Sequence, residues 1–498
     1  MKAIKNIMIA LSGIALLASC DMDKFFELDR PESNPWLSVD DLEYSVADPY
    51  NTLFQNPNWQ APIGIIPYYQ ELVADLSTVN PQGAYEQEAL YWYPRQMSTF
   101  DVTGQQFEKT FSILYRSVTG ATSPLTYIEE KEKKGEPVFA NMTENDKKTL
   151  ARQTGELYFM RGYTYWLISR AFVAPYDPAG GEGNNRKFIP LINRLDYSQE
   201  SARNPYMGTV KEVYDQMLSD FAKAKSLMPE DYFVRGRANK FSAAMMLMRV
   251  KWLMGDKDGA LEEADYVITK AEAGVAPFDL TEEPIVAFNR NAEQQYTVDP
   301  VSKEVMFECA FTESNQGNNV AIPLARMCKT GIYNFKSKTF DASNKLWLEG
   351  ARGSQNWQHG GWACAYWNPR LIKYIGWAVT DDPMDLTNYV PSAEALADKR
   401  FTQLHYFLKN YTDGGDKTIH EMAYNKTKWN AFWNDKYYRA PYGKYSQVPL
   451  IRLAEAYLTR ATLVLSKNAS QALGDVNKIR QRAGLTPLKN VTEADIEK

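Results

Sequence analysis

Histidine and cysteine are scarce in this 498-residue chain, with three of the first and four of the second. His359, His405 and His420 belong to no HExxH pattern, no Cys-x-x-Cys pair occurs, and neither a GxSxG elbow nor a phosphate-binding glycine loop is found. Zinc-protease, serine-hydrolase and P-loop chemistries therefore lack their parts. A basic excess is missing too: 56 Lys and Arg against 61 Asp and Glu give a formal charge of −5, so no nucleic-acid partner is expected. Beyond the amino terminus no apolar run approaches the ~20 residues that a membrane-crossing helix needs. A glycosidase requires only two carboxylates about 5 to 10 Å apart; the many acids leave that open, but nothing selects it. The TDGGDK stretch at 412–417 lacks calcium-loop ligand spacing and reads as a turn, so no metal or cofactor is expected and the chain reads as a non-enzyme.

The amino terminus is patterned. Lys2 and Lys5 precede an apolar run at 7–18, and Leu17-Ala18-Ser19 stand directly before Cys20. This is a secretory signal, and the small residues before Cys20 resemble a bacterial lipobox, which makes Cys20 the expected lipidation point. Removing residues 1–19 takes Lys2 and Lys5, leaving 54 basic against 61 acidic residues and a charge of −7. Cys309, Cys328 and Cys364 then remain, an odd number that allows at most one disulfide. Cys309 falls in an alternating run at 304–311 that reads as a half-buried strand; whether Cys328 and Cys364 pair stays open.

Residues 239–272 read as two antiparallel helices, 239–254 and 258–271, joined by Gly255-Asp256-Lys257. Phe241, Ala244, Met245, Met248 and Trp252 fall on one face of the first, and Leu261, Ala264, Val267, Ile268 and Ala271 on one face of the second. A pair of this length matches a tetratricopeptide unit and needs stacked neighbours to cover its apolar face. Sliding the chain by 212 positions sets Ala244 on Ala456, Leu253 on Leu465, Ala260 on Ala472, Leu261 on Leu473 and Ala271 on Ala483, with Val267 on Ile479. The matches lie on the faces that should pack.

Other helices are marked by their caps. Ser38 with Asp41 opens one through about Phe54, Thr143 with Asp146 opens another that Pro175 stops, and Thr209 with Glu212 forms a capping box for a third that Pro229 ends. Residues 105–134 carry helical spacing interrupted near Gly120 and Pro124. Residues 55–93 read as loop with one helical turn near 69–75. From 274 to about 446 the helical period disappears, strand-like runs stand at 305–311 and 404–408, and helices resume at 448–466 and 469–483.

The last of these, VPLIRLAEAYLTRATLVLSKNASQALGDVNKIRQRAGL at 448–485, resembles the carboxy-terminal signature of the SusD/RagB family of Bacteroidetes outer-membrane lipoproteins. GELYFMRGYTYWLISRAFVAPY at 155–176 resembles the family's long helix running into an aromatic loop. The resemblance implies a mainly α fold, a tetratricopeptide-like scaffold with a large loop-rich insert containing short strands. It divides the chain into a signal peptide at 1–19, a lipidated tether at 20–37 and one domain at 38–498, with scaffold at about 38–273 and 448–498 and insert at about 274–447. It also implies attachment to the outer membrane facing the cell surface, a SusC-like TonB-dependent transporter as partner, and capture of glycans. Peptide capture, as in RagB-like members, is the alternative, followed by a surface glycoside hydrolase and a pure interaction scaffold. Family members continue past the RAGL motif into a further helix and a closing segment, so a truncated carboxy terminus is expected, with Leu473, Val476 and Ile479 partly uncovered.

Aromatic residues make up 13% of the chain, including 12 Trp and 31 Tyr. A sugar presents apolar C–H faces and polar edges, so its site needs flat aromatic platforms beside amides and carboxylates. Two loop regions supply them. Asp75, Tyr91 and Trp92 form one, and Trp357, Trp362 and Trp367 the other. The alternative role for each ring is to plug a loop onto the scaffold, since most tryptophans end largely buried.

Overall fold

The computed structural model describes residues 36–54, 62–74, 76–79, 105–196, 198–288, 302–309 and 448–498, with shorter stretches between 333 and 436. Its helical body comprises α1 (Val39–Phe54), α2 (Pro62–Val73), α3 (Gln105–Lys134), α4 (Glu144–Phe172), α5 (Val210–Leu227), α6 (Lys240–Leu253) and α7 (Lys257–Glu272). After the insert come α8 (Leu453–Val464) and α9 (Ala469–Arg482). None of the described helices is long and apolar enough to cross a membrane.

Local chemistry sets the ends. Asp146 N–H donates to Thr143 Oγ1 at 3.2 Å while Thr143 N–H donates to Asp146 Oδ2 at 2.8 Å, and Thr209 with Glu212 repeats the arrangement at 3.2 and 2.8 Å. Each box satisfies donors that a helix start would otherwise leave orphaned. Between α6 and α7, Gly255 takes a φ of +82°, a left-handed turn that glycine enters without steric cost.

From α3 to α9 each long helix packs on the next, and α7 packs on α8 across the whole insert. Ala244, Ala260, Ala456 and Ala472 are fully buried, so the small residues do sit where helices approach. One hydrophobic core runs from Trp36 in the approach to α1 to Ile479 in α9. Buried ion pairs join the layers: Arg161 of α4 holds Asp220 of α5 through two bonds of 2.9 and 2.7 Å, and Arg460 of α8 holds Asp475 of α9 at 2.8 and 2.7 Å.

Several expectations need correction. The helical turn expected near 69–75 is the end of three turns, because Ile63, Ile65 and Ile66 bury against the body and outweigh the missing donor of Pro67. α3 runs through Gly120 and Pro124 without interruption. Gly120 lies against α1, where a Cβ would come 2.4 Å from an Asp48 carboxylate oxygen, so it serves close approach rather than a break. Residues 448–452 are strand, not helix: Val448–Arg452 pairs with Val305–Cys309, whose five residues are all buried rather than alternating. That strand is covered on both sides, and Cys309 within it is a free, buried thiol. Val476 and Ile479 are buried, with Val476 covered by Leu488, Val491 and Ile496.

The strands are short: β1 (Ser77–Val79), β2 (Lys187–Pro190), β3 (Met207–Thr209), β4 (Val305–Cys309), β5 (Leu348–Ala351), β6 (Ala365–Trp367), β7 (His405–Thr412), β8 (Trp429–Asn434) and β9 (Val448–Arg452). β1 pairs with β6, β2 with β3, β4 with β9 and β7 with β8, all antiparallel, and β5 adds to β7 in parallel.

Candidate functional site

The β1/β6 ladder links two parts of the chain almost 300 residues apart. Its register is Ser77↔Trp367, Thr78↔Tyr366 and Val79↔Ala365, and the Asn368 N–H extends it by donating to the Leu76 carbonyl at 3.0 Å. β1 begins two residues after Asp75. The backbone beside one proposed cluster is thereby tied to the backbone of the other.

Beyond Trp367 the chain turns into a short helix, Pro369–Tyr374, capped by Asn368 Oδ1 accepting from Arg370 N–H at 3.0 Å. Gly376, at a φ of +82°, then reverses the chain so that the Trp377 N–H reaches the Ile372 carbonyl. Ile372, Trp377, Ala395 and Phe401 form a small satellite core, and Trp367 leans on it half-buried.

His405 lies among these rings. Its imidazole is buried, 5.5 Å from the Trp367 ring and 4.8 Å from Trp377, and it stacks on Phe401 at 6.3 Å. Its Nδ1 stands 2.9 Å from the Arg400 carbonyl, which only accepts, so Nδ1 carries a proton. Lys436 places its ammonium 5.7 Å from the centre of the Trp367 ring and 5.9 Å from Phe288. The result is a half-exposed indole, braced from beneath by a tight aromatic cluster, with a cation at its side. The nearby carboxylate of Asp398 is buried and held by Arg400 at 2.7 Å. Among the described residues no His, Cys, Asp and Glu cluster could hold a metal ion.

Of the residues read from the sequence, only Trp367 falls within the described part; Asp75, Tyr91, Trp92, Trp357, Trp362 and the lipidation candidate Cys20 lie outside it, as do Cys328 and Cys364. His405, Phe401 and Lys436 were missed as neighbours of Trp367. His405 stood in a run rightly read as strand, but nothing in the sequence connects that run to a tryptophan 38 positions upstream.

The signature at 448–485 behaves differently, because its polar side chains turn inward. Arg452 and Arg482 both hold the buried Glu304, Glu455 holds Arg249 of α6 at 2.6 Å, and the Tyr457 hydroxyl donates to Glu272 of α7 at 3.0 Å. Asn477 closes the turn after α9 by exchanging two hydrogen bonds with the Leu488 backbone at 3.0 and 2.7 Å. Lys478 also engages Glu272 and keeps that carboxyl below the usual glutamate range.

A family model described as "Starch-binding associating with outer membrane" matches residues 55–251, and one described as "SusD family" matches residues 303–497. The chain belongs to the SusD family. It is similar to SusD-like protein P2 of Formosa agariphila, 25% identical over 354 residues that cover 70% of this chain, and it spans 59% of that relative's length. Among solved structures, a SusD-like carbohydrate binding protein from Bacteroides vulgatus superposes with a TM-score of 0.61 at 16% identity, covering 93% of this chain and 79% of the other. A SusD superfamily protein from Bacteroides thetaiotaomicron gives 0.61 at 17% identity, covering 92% and 83%. These superpositions show the SusD-like fold: a mainly α scaffold with short strands in its insert.

Proposed function

We propose that this SusD-family protein captures glycans at the cell surface without cleaving them. The observation that carries the reading is the half-exposed Trp367 on a ladder that ties the chain beside Asp75 to the chain following Trp357 and Trp362. A sugar ring stacked on Trp367 would meet an apolar face with polar groups at its edge. Asp75, Tyr91, Trp92, Trp357 and Trp362 complete the proposed surface. In this reading residues 1–19 are removed, Cys20 carries the lipid anchor at the outer membrane, residues 20–37 form a tether, and residues 38–498 act as one domain. The captured glycan passes to a SusC-like TonB-dependent transporter. The named binding of carbohydrate by one structural neighbour supports the ligand class.

Retention of the protein on a panel of insoluble polysaccharides, with product analysis in the same tubes, tests the reading. Retention on at least one polymer with no new reducing ends is expected. Release of reducing sugar would overturn the non-enzymatic part, and retention on none of them would move the ligand class to peptides.

A further inference from the structure

A second concavity lies on the scaffold, at the place where the insert leaves it and returns. The sequence Phe233-Val234-Arg235-Gly236-Arg237 turns sharply before α6: the Arg237 N–H donates to the Val234 carbonyl at 3.0 Å, and Gly236 takes a φ of +75°. The turn faces Pro277 and Phe278 on one side and β4 on the other, and encloses a cleft of about 270 Å³.

Two chemistries meet there. Phe233 and Phe278 cross edge to face with ring centres 5.5 Å apart, and Val305 and Met306 of β4 are buried beneath them. Around this apolar patch stand cations. Arg235 pairs with the buried Glu308, Arg237 and Arg152 share Glu43 and Glu156, and Lys303 is exposed at the rim with no ion pair among the described residues. Of the charged residues that line the cleft, Arg235, Arg237 and Lys303 are cations and Glu308 is a carboxylate; Arg235 and Arg237 are spent on ion pairs, so Lys303 is the charge that an incoming anion would neutralise.

Volume sets the size of the occupant. At about 270 Å³ the cleft stands near the lower end for small-molecule sites. A neutral sugar could lie on the phenyl rings but would leave the charge of Lys303 unused.

We propose that this cleft binds a small monocarboxylate with a flat apolar body, of the size of an N-acylated aromatic amino acid. The body lies against Phe233 and Phe278, and the carboxylate meets Lys303 at the rim beside Arg235. The proposal does not depend on the glycan reading.

Calorimetric titration of the full chain with N-acetyl-L-phenylalanine and with its uncharged amide tests the proposal. The acid is expected to bind saturably and more weakly as salt rises, and the amide at least roughly tenfold more weakly. Lys303→Gln, an exposed change that leaves the melting temperature unmoved, should weaken the acid by roughly fivefold. Val234→Trp, at the half-exposed mouth, should fill the cleft and abolish binding while polysaccharide retention stays as in the parent. Equal binding of acid and amide, undiminished acid binding by Val234→Trp, or no saturation at millimolar acid would each overturn it.

Discussion

Around Phe307 the aromatic rings are closed in: Tyr50, Phe54, Phe159 and Tyr163 meet it with centres 5.0 to 6.4 Å apart, and none is more than 6% exposed. Around Trp367 the same kinds of ring leave the indole partly uncovered. His405, Trp377 and Phe401 are buried beneath it, while the indole itself stays half-exposed with Lys436 alongside. The cations divide in a similar way. In the scaffold Arg161 and Arg460 are consumed by bidentate pairs with Asp220 and Asp475, whereas the cations at the cleft include Lys303, which stands open to solvent. Side-chain type alone therefore does not separate fold from function; accessibility and unspent partners do.

The largest effect that tests this contrast is in the scaffold. Arg161→Ala leaves Asp220 buried and uncompensated, at a cost of about 3–5 kcal/mol in unfolding free energy. Chemical denaturation measures it, and a loss below about 1 kcal/mol would show that the pair does not hold α4 to α5. A smaller effect comes from close packing. Ala260→Leu pushes a larger side chain between helices where the residue is fully buried, which should cost about 1–3 kcal/mol and lower the melting temperature.

The smallest effect is on pH. Burial would raise the Glu43 carboxyl, but hydrogen bonds from Arg152 and Gln153 and the charge of Arg237 outweigh it and hold the group below the usual range. Glu272 is held low by the Lys478 hydrogen bond despite partial burial. A depressed carboxylate stabilises the fold above its unfolded value of about 4.3 and loses that contribution as pH falls through the folded value. The urea midpoint should therefore stay level down to about pH 5 and decline below about pH 4. Glu43→Gln should shallow the decline; a midpoint that rises on acidification would contradict the assignment.

The scaffold was legible in the sequence because its rules are local. Caps at Thr143 and Thr209, glycine at 255 and apolar spacing on α6 and α7 each act within a turn or two of chain, and the structure follows them. Where a distant partner decides the outcome, the reading failed. Val448–Arg452 continues a helical pattern but is drawn into a strand by β4, 140 residues upstream, and Pro67 and Gly120 look like breakers until the body packed against them is seen. The site was legible only as composition. Aromatic density singled out two loop regions, but the ladder from Ser77 to Trp367 and the ring cluster around His405 depend on long-range pairing that no periodicity encodes. The signature residues gave the opposite result. They identified the family and proved to be internal fasteners.

The central claim is that ligand capture belongs to the half-buried indole of Trp367 and not to the signature that names the family. Polysaccharide affinity of Trp367→Ala measured beside Lys478→Ala tests it most directly. Lys478 pairs with Glu272 at the surface and lies over the Tyr457 ring, contacts worth about 1 kcal/mol, so its variant should stay folded and keep the parent's affinity. Trp367→Ala should lose about 2 kcal/mol of binding, roughly thirtyfold in Kd, with the scaffold still folded. Unchanged affinity for Trp367→Ala, or an equal loss in the two variants, would contradict the account.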